Sequence, residues 1–250
     1  MARARRMAAA WISAAALLAC AVGARAPLTA DRAIQAYRTA IQAAETSHRP
    51  RAIERAFTAL ANLREALMRV GDDHKTPLES FSDLELTQLR RDLHGVLLNR
   101  DEVEFVEPDC AFFSALAKAK GDAADRAFFA AFSATYPQSV WPVYVNQQTD
   151  LGGCVRFGSL SLVETYGTWL DFRRHFPGRY SAAAGSEVDA VALKLALATC
   201  ACDSVPEVER ELEQFIERFP RSPVRPAMEQ RLNDLRAGKA TIAPHCQGPG

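Results

Sequence analysis

The chain has 250 residues, of which 48% are hydrophobic, and its 30 basic and 30 acidic residues give a formal net charge of zero. This apolar content is that of a globular protein and excludes an intrinsically disordered chain. Beyond the first twenty residues no run of Lys or Arg could follow a phosphate backbone, so nucleic-acid binding is not expected.

The first residues have the composition of a secretory signal peptide. Arg3, Arg5 and Arg6 are followed by an uncharged stretch from Met7 to Ala19, which is 13 residues long. Spanning a bilayer takes roughly 20 apolar residues, whereas the apolar region of a signal peptide is about this short. We therefore predict export and exclude residues 1–19 from the fold.

Two cleavage sites compete at the end of this leader. Leu17-Leu18-Ala19-Cys20 resembles the lipobox of bacterial lipoproteins, in which the cysteine is diacylated and becomes the first residue of the mature chain. The alternative is ordinary cleavage after residue 26, although Pro27 is unfavourable there. The lipobox implies a periplasmic protein anchored to the outer membrane through Cys20, and the alternative a soluble periplasmic or secreted one. Without residues 1–19, 27 basic and 30 acidic residues remain, a net charge of −3.

Residues 27–100 are predicted to form an N-terminal helical bundle. Asp31 is expected to cap a first helix that runs to about Ser47, and Pro50 to lie in the first turn of a second. Gly71 is expected to end this second helix. Apolar residues with the helical period predict its buried stripe: Ile53, Phe57, Leu60, Leu63 and Leu67.

A third helix is predicted from Ser82 to Leu98, and a break from Asn99 to Pro108. The apolar stripe of the helix consists of Leu84, Leu86, Leu89, Leu93 and Leu97. The break overlaps a dense acidic cluster made of Glu102, Glu104, Glu107 and Asp109. Paired carboxylates can serve acid–base catalysis or bind calcium. Because no loop glycine has a suitable spacing, we expect a solvated linker whose acids favour a helix starting at Pro108.

Residues 107–250 are predicted to form a C-terminal helical-repeat region with a tail. An aromatic residue, three further residues, a second aromatic residue and a proline recur three times, at intervals of 40 and 43 residues, in 132–137, 172–177 and 215–220. Aromatic side chains four residues apart share one helix face, and the proline ends the helix. Ser139 and Ser222 are expected to cap the helix that follows. Each copy thus predicts a helix–turn–helix hairpin.

Further boundaries are predicted by capping residues. Gly121 is expected at a helix C-terminus and Asp122 at the next N-terminus. Ser204 and Glu207 have the spacing of a capping box. The stripes of the last hairpin are Val208, Leu212, Phe215, Ile216 and Phe219, and then Met228, Leu232 and Leu235.

The repeated turns resemble those of a known family. A spacing of around 40 residues is typical of stacked helical arrays. Residues 215–222, and more loosely 132–139, are similar to the turns of tetratricopeptide-type repeats, especially those of envelope lipoproteins that assist outer-membrane assembly. The resemblance covers residues 122–237 and implies an all-α, TPR-like array. The period exceeds 34 residues and Gly152-Gly153 interrupts the second copy, so a plain helical bundle remains the alternative.

Five cysteines follow Cys20, and in an oxidising periplasm they predict disulfide bonds. We favour Cys110 with Cys154, and either Cys200 or Cys202 with Cys246, which would fix the C-terminal tail to the body and leave one cysteine unpaired. The alternative is a zinc or copper site formed by Cys200, Cys202, His245 and Cys246, although the spacing matches no standard motif. No resident metal or cofactor is predicted.

The remaining candidates for chemistry are few. No nucleophile, zinc-protease, phosphate-loop or dinucleotide motif is present, and His175 is expected at a helix C-terminus, where the helix dipole favours a cation. Trp141, Tyr144 and Trp169 are expected to pack between helices, or to bind a partner if a groove exposes them. The sequence therefore predicts a non-enzymatic, helical-repeat lipoprotein that binds another envelope protein or peptide. The alternative is a periplasmic metal-binding protein or enzyme that uses the Cys200 cluster.

Overall fold

The computed structural model describes residues 28–101, 104–136, 161–198, 200–201 and 204–244. This part of the chain is mostly helical, with nine α-helices that form four packed pairs and one short separate helix. It also contains two short pairs of strands, which the sequence did not predict. No helix in the described residues is long and apolar enough to cross a membrane.

The first helix pair consists of α1 (Ala30–Thr46) and α2 (Ala52–Leu67). Two of its predicted boundaries are wrong by a few residues, because Asp31 lies inside the first turn of α1 and Pro50 lies just before α2. The third is wrong as well: α2 ends at Leu67, four residues before Gly71. The predicted stripe of α2 faces inward as expected, with Phe57 half-buried and the other four residues buried.

The third helix is shorter than predicted. After a 3₁₀ turn, α3 (Asp83–Asp92) is followed by β1 (Val96–Asn99), which pairs antiparallel with β2 (Phe105–Pro108). Gly95, just before β1, has a φ of 76°, in the left-handed region that glycine adopts without strain. A Cβ there would also clash with the ring of Phe112. The segment predicted as a linker is therefore a β-hairpin, and Pro108 ends a strand instead of opening a helix.

The second pair consists of α4 (Cys110–Lys120) and α5 (Ala123–Thr135). Asp109 caps α4 with its side chain, which accepts hydrogen bonds from two backbone N–H groups. The predicted boundary at Gly121 and Asp122 is confirmed, since the Asp125 N–H donates to the Asp122 carboxylate at 2.9 Å. Two residues thus suffice to reverse the chain.

Two further pairs complete the helical part: α6 (Ser161–His175) with α7 (Ser181–Leu197), and α8 (Val205–Arg218) with α9 (Arg225–Arg236). Each connecting turn contains one copy of the aromatic–proline motif, so the two predicted hairpins are confirmed. In the remaining copy α5 ends before Tyr136, and residues 137–160 lie outside the described part of the chain.

The predicted caps in this half have mixed outcomes. Glu207 accepts a hydrogen bond from the Ser204 N–H at 3.1 Å, as a capping box requires. Ser222 does not cap α9, which begins three residues later; its hydroxyl oxygen lies 2.8 Å from that of Tyr166. Ser139 lies outside the described residues.

A single hydrophobic core runs through the helix pairs. At the edge of this core the half-buried ring of Phe57 contacts five aromatic rings at centroid distances of 5.2 to 6.1 Å. These rings belong to Phe113, Phe128, Phe129, Phe132 and Tyr180. Residues of both predicted segments, 27–100 and 107–250, therefore pack together, while the division into two domains stays a prediction.

The C-terminal segment is attached to the body by backbone pairing. Strand β3 (Cys200–Ala201) pairs in parallel with β4 (Ala243–Pro244), with Cys200 opposite Ala243. Cys202, His245 and Cys246 lie outside the described residues, so the second disulfide stays a prediction. The pairing does bring the backbone of one predicted cysteine beside the segment that leads to Cys246.

Candidate functional site

A cleft of about 680 Å³ opens between helix α2, the β-hairpin, the C-terminal end of α5 and the N-terminal end of α7. Most of its wall is apolar and is formed by Phe57, Leu60, Leu97, Phe105 and Phe132. Three glutamates, Glu54, Glu107 and Glu187, and the guanidinium of Arg64 also line the cleft. We call this space the acidic cleft.

The local structure explains how each wall is placed. Phe57 and Leu60 belong to the inward stripe of α2, and Leu97 and Phe105 belong to neighbouring strands. Phe132 is the first aromatic residue of the repeated motif at the end of α5. The β-hairpin, which interrupts the succession of helices, therefore supplies one side of the cleft.

Glu107 points from β2 toward α2 and is only partly neutralised. Its carboxylate forms an ion pair with Arg64, with N–O distances of 2.9 and 3.3 Å. The side chain of Glu107 is 20% exposed and that of Arg64 is 56% exposed. Burial raises the pKa of Glu107, and the attraction of Arg64 opposes this rise without cancelling it.

Glu187 stands on α7 and accepts a hydrogen bond of 2.8 Å from the hydroxyl of Tyr136. Burial raises the pKa of this carboxyl and the negative charge of Glu107 raises it further, against the hydrogen bond and the positive charge of Lys194. Burial in turn lowers the pKa of Lys194 to about 8. Glu187 is thus an acid in apolar surroundings whose hydrogen-bond donor is a neutral hydroxyl.

Cys110 contributes a thiol to the same wall. Burial and the charges of Asp109 and Glu107 raise the pKa of this thiol to about 12. A thiol with such a pKa is protonated near neutral pH, and only the thiolate is a strong nucleophile. Among the described residues Cys110 has no disulfide partner, and its predicted partner Cys154 lies outside them, so this disulfide stays a prediction.

The chemistry of the cleft favours a ligand with an apolar body and a positive charge. Apolar walls bury hydrocarbon at roughly 25 cal/mol per Å². A cation placed between the carboxylates of Glu107 and Glu187 would replace the water that they lose on burial and favour their charged forms. A neutral or anionic group would leave both charges incompletely compensated.

A second carboxylate cluster, which we call the arginine hub, adjoins the cleft. Arg179, in the turn between α6 and α7, binds Glu54, Asp122 and Asp125 at 2.6, 2.7 and 2.8 Å. The next residue, Tyr180, donates its backbone N–H to Glu54 and its hydroxyl to Asp125, each at 2.7 Å. Glu54 also reaches the wall of the cleft. The hub joins three helix pairs, and its carboxylates are occupied by protein donors.

The predicted acidic cluster is divided among different roles. Glu104 accepts from the hydroxyl of Thr76 at 3.0 Å, Glu107 lines the cleft, and Asp109 caps α4. Glu102 lies outside the described residues. The expected favourable effect of an acid on the following helix is confirmed for Asp109, whereas the expectation of a solvated linker is wrong for Glu107.

The predicted aromatic candidates do not meet in the cleft. Trp169 is fully buried and donates its indole N–H to the Thr135 hydroxyl at 3.0 Å, so it packs between helices. Trp141 and Tyr144 lie outside the described residues. His175 ends α6 as expected, with Nδ1 2.8 Å from the Asp171 carbonyl oxygen.

The predicted metal ligands are described only in part. Within the described ranges no three His, Cys, Asp or Glu residues are grouped to hold a metal ion. Cys200 is described in its backbone alone, and Cys202, His245 and Cys246 lie beyond these ranges. The alternative of a metal site therefore stays a prediction.

Sequence reasoning missed Glu187 and Tyr136 as site residues. In the sequence Tyr136 stands out only as the second aromatic residue of a turn motif. Glu187 lies in an alanine-rich helix and, taken alone, resembles any exposed acid. For the β-hairpin wall of the cleft the sequence did contain one weak signal. The apolar run Val96-Leu97-Leu98 before a charged segment suits a strand as well as a helix end.

Comparisons with known protein families, with curated proteins and with solved structures give no match for this chain. The site must therefore be interpreted from its own geometry.

Proposed function

We propose that the protein is an exported lipoprotein of the bacterial envelope whose helical scaffold binds a segment of another envelope protein and catalyses no reaction. The observation that carries the proposal is the acidic cleft, an apolar cavity with two incompletely neutralised carboxylates. A segment with an apolar side chain beside a lysine, an arginine or a free amine fits this chemistry.

The architecture supports a binding role. Stacked helical hairpins form concave surfaces that suit peptides and helices. The acidic cleft lies where three such pairs and a β-hairpin meet, so that its walls come from rigid elements. The TPR-like stacking and the two disulfides are part of this proposal, and so are the outer-membrane location and the anchor on Cys20.

Site-specific photo-crosslinking in intact cells tests the binding role. Ala61 and Asn62 are both exposed on α2, but only Ala61 lines the cleft. A photoreactive phenylalanine analogue at position 61 is expected to capture an envelope protein, and the same analogue at position 62 is not. Equal capture from both positions, or none from position 61, would contradict the proposal.

Charge neutralisation tests whether the carboxylates are responsible. Replacing Glu107 and Glu187 by Gln is expected to abolish capture from position 61. Glu217→Gln, a change at an exposed acid of α8 outside the cleft, is expected to leave capture unchanged. Capture that survives the double replacement would show that the partner binds without the carboxylates.

The anchor is tested separately by fractionation. The Cys20→Ala variant is expected to leave the membrane fraction and to appear in the soluble periplasmic fraction. A variant that remains in the membrane fraction and is released by high salt would be held by a partner instead of by a lipid.

The alternative function uses the cysteines of the C-terminal segment. The pairing of Cys200 with Ala243 favours some link between this strand and the tail, either a disulfide or a shared metal ion. Thiol titration of the exported protein, with and without reductant and chelator, separates the two. Two disulfides and no metal would eliminate the metal-binding alternative.

A further inference from the structure

A second concave surface, which we call the basic groove, lies on the first helix pair. It has a volume of about 700 Å³ and is lined by Arg32 of α1, Arg49 of the connecting turn and Arg55 of α2. The side chains between these arginines are small or neutral, and they include Gln35 and Ala43. The groove therefore offers room for a ligand, and three arginine side chains line it.

Among the described residues, the three arginines have no acidic partner. All three are exposed, and none forms an ion pair or a side-chain hydrogen bond with another residue in the described part of the chain. No acidic residue lines the groove within that part. Other arginines of the first two helices do have acidic partners, such as Arg38 with Asp92 at 2.6 Å.

Phosphate is the group that this arrangement suits best. A guanidinium donates two parallel hydrogen bonds to a phosphate and remains charged at every relevant pH. Helix α2 begins at Ala52, so the positive end of its dipole lies beside Arg49 and favours an anion. Arg32 lies near the start of α1 and Arg49 beyond its end, so the three side chains suit several phosphate groups along the groove better than one small anion.

The position of the groove in the chain indicates where the phosphate comes from. Nine residues separate Cys20 from Ala30, where α1 begins. Even fully extended they span only about 30 Å, at roughly 3.3–3.6 Å per residue. If Cys20 carries the lipid anchor of the proposed function, the start of α1, and with it Arg32 at one end of the groove, is held within that distance of a bilayer surface.

We propose that Arg32, Arg49 and Arg55 form a binding site for the phosphate headgroups of anionic lipids. The groove would orient the scaffold on the membrane and would act independently of the acidic cleft. Each basic residue close to an anionic lipid surface increases the affinity for that surface by about five-fold. Three such residues therefore increase it by about 100-fold.

Vesicle sedimentation tests this proposal in the full chain. Cys20 is replaced by Ala in every sample so that no acyl chain contributes, and the leader, common to all samples, cancels in the comparison. The vesicles contain phosphatidylcholine with one quarter phosphatidylglycerol, or phosphatidylcholine alone. The groove variant carries Arg32→Gln, Arg49→Gln and Arg55→Gln. A matched control carries the same three-charge change at exposed arginines that do not line the groove: Arg91, Arg173 and Arg221.

The groove variant is expected to bind the anionic vesicles about 100-fold more weakly than its parent, while the control loses less than about five-fold. Unchanged thermal unfolding of both variants would show that the fold is intact. Equal losses in the two variants would reduce the effect to net charge and overturn the proposal. Loss of inorganic phosphate binding in the groove variant, with vesicle binding equal to that of the parent, would also overturn it, in favour of a soluble phosphate ligand. Because the groove is tested without the anchor and away from the cleft, its failure would leave the proposed function intact.

Discussion

The arginine hub and the acidic cleft are adjacent carboxylate clusters that differ in how their charges are satisfied. In the hub, Arg179 and Tyr180 supply donors to all three carboxylates. In the cleft, Glu107 has one ion pair with an exposed arginine, and Glu187 accepts from a neutral hydroxyl. Burial raises the pKa of both cleft carboxyls. In the hub the pKa of Asp122 is lowered, because the hydrogen bonds from the Arg179 side chain and the Asp125 backbone N–H outweigh the effect of burial.

This difference separates a stabilising cluster from a binding one. Carboxylates that protein donors occupy hold the helix pairs together but have little capacity left for a ligand. Carboxylates that folding desolvates without full compensation reduce the stability of the free protein. Such carboxylates can therefore still bind a cationic group of a partner. Variants of the two clusters test this separation.

The largest effect is expected when the hub loses its arginine. Arg179→Met leaves three carboxylates close together with only the longer, 3.8 Å contact of Arg51 to Glu54 as a counter-charge. Removing one partner of a buried ion pair typically costs about 3–5 kcal/mol. We therefore expect the free energy of unfolding, measured by urea denaturation, to fall by that amount. Arg173→Met, at an exposed arginine near the end of α6, should change it by less than about 0.5 kcal/mol. A loss below about 1 kcal/mol for Arg179→Met would show that the hub does not hold the pairs together.

Neutralising single carboxylates should have opposite effects in the two clusters. Asp125→Asn removes the negative charge to which Arg179 and Tyr180 donate and is expected to cost about 1–3 kcal/mol. Glu187→Gln removes a desolvated charge and retains an acceptor for Tyr136, so we expect a gain of up to about 1 kcal/mol at pH 7. Chemical denaturation of both variants measures the difference, and a destabilising Glu187→Gln would contradict the separation of roles.

The smallest effect is expected in the pH dependence of ligand binding. A cation stabilises the ionised forms of Glu107 and Glu187, and the pKa values of these carboxyls are raised. Affinity should therefore be complete above the raised pKa values and decrease as the pH falls through them. The probe is acetyl-Phe-Lys-Phe-amide, titrated by NMR at several pH values. The same peptide with acetylated lysine should bind more weakly and without this dependence; equal affinity for the two peptides would exclude charge recognition.

The sequence predicted the helical fold and several of its boundaries because these depend on local interactions. Asp122 caps α5 through a hydrogen bond to a residue three positions away, and the motif at Phe172 ends α6 through the adjacent proline. The hydrophobic stripe of α2 follows from period alone. Such features can be predicted without knowing what the helix packs against.

The β-hairpin and the acidic cleft could not be predicted in the same way. Leu93 and Leu97 continue the helical period of α3, but Gly95 turns the chain with a positive φ and lies against the ring of Phe112, a residue from a later helix. Glu187 is distinguished from an exposed acid only by Tyr136, 51 positions earlier in the chain. Both features arise from contacts between distant residues.

The separation of roles requires that the cleft carboxylates are incompletely neutralised in the free protein. A ¹³C NMR titration of the side-chain carboxyls measures this directly. We predict that Glu107 and Glu187 titrate above the ordinary glutamate pKa and that Asp122 titrates below the ordinary aspartate pKa. Spectra of the Glu187→Gln and Glu107→Gln variants assign the two cleft signals. Cleft carboxyls that titrate at or below the ordinary value would show that the protein already satisfies their charges, and the cleft would then have no reserve for a cationic partner.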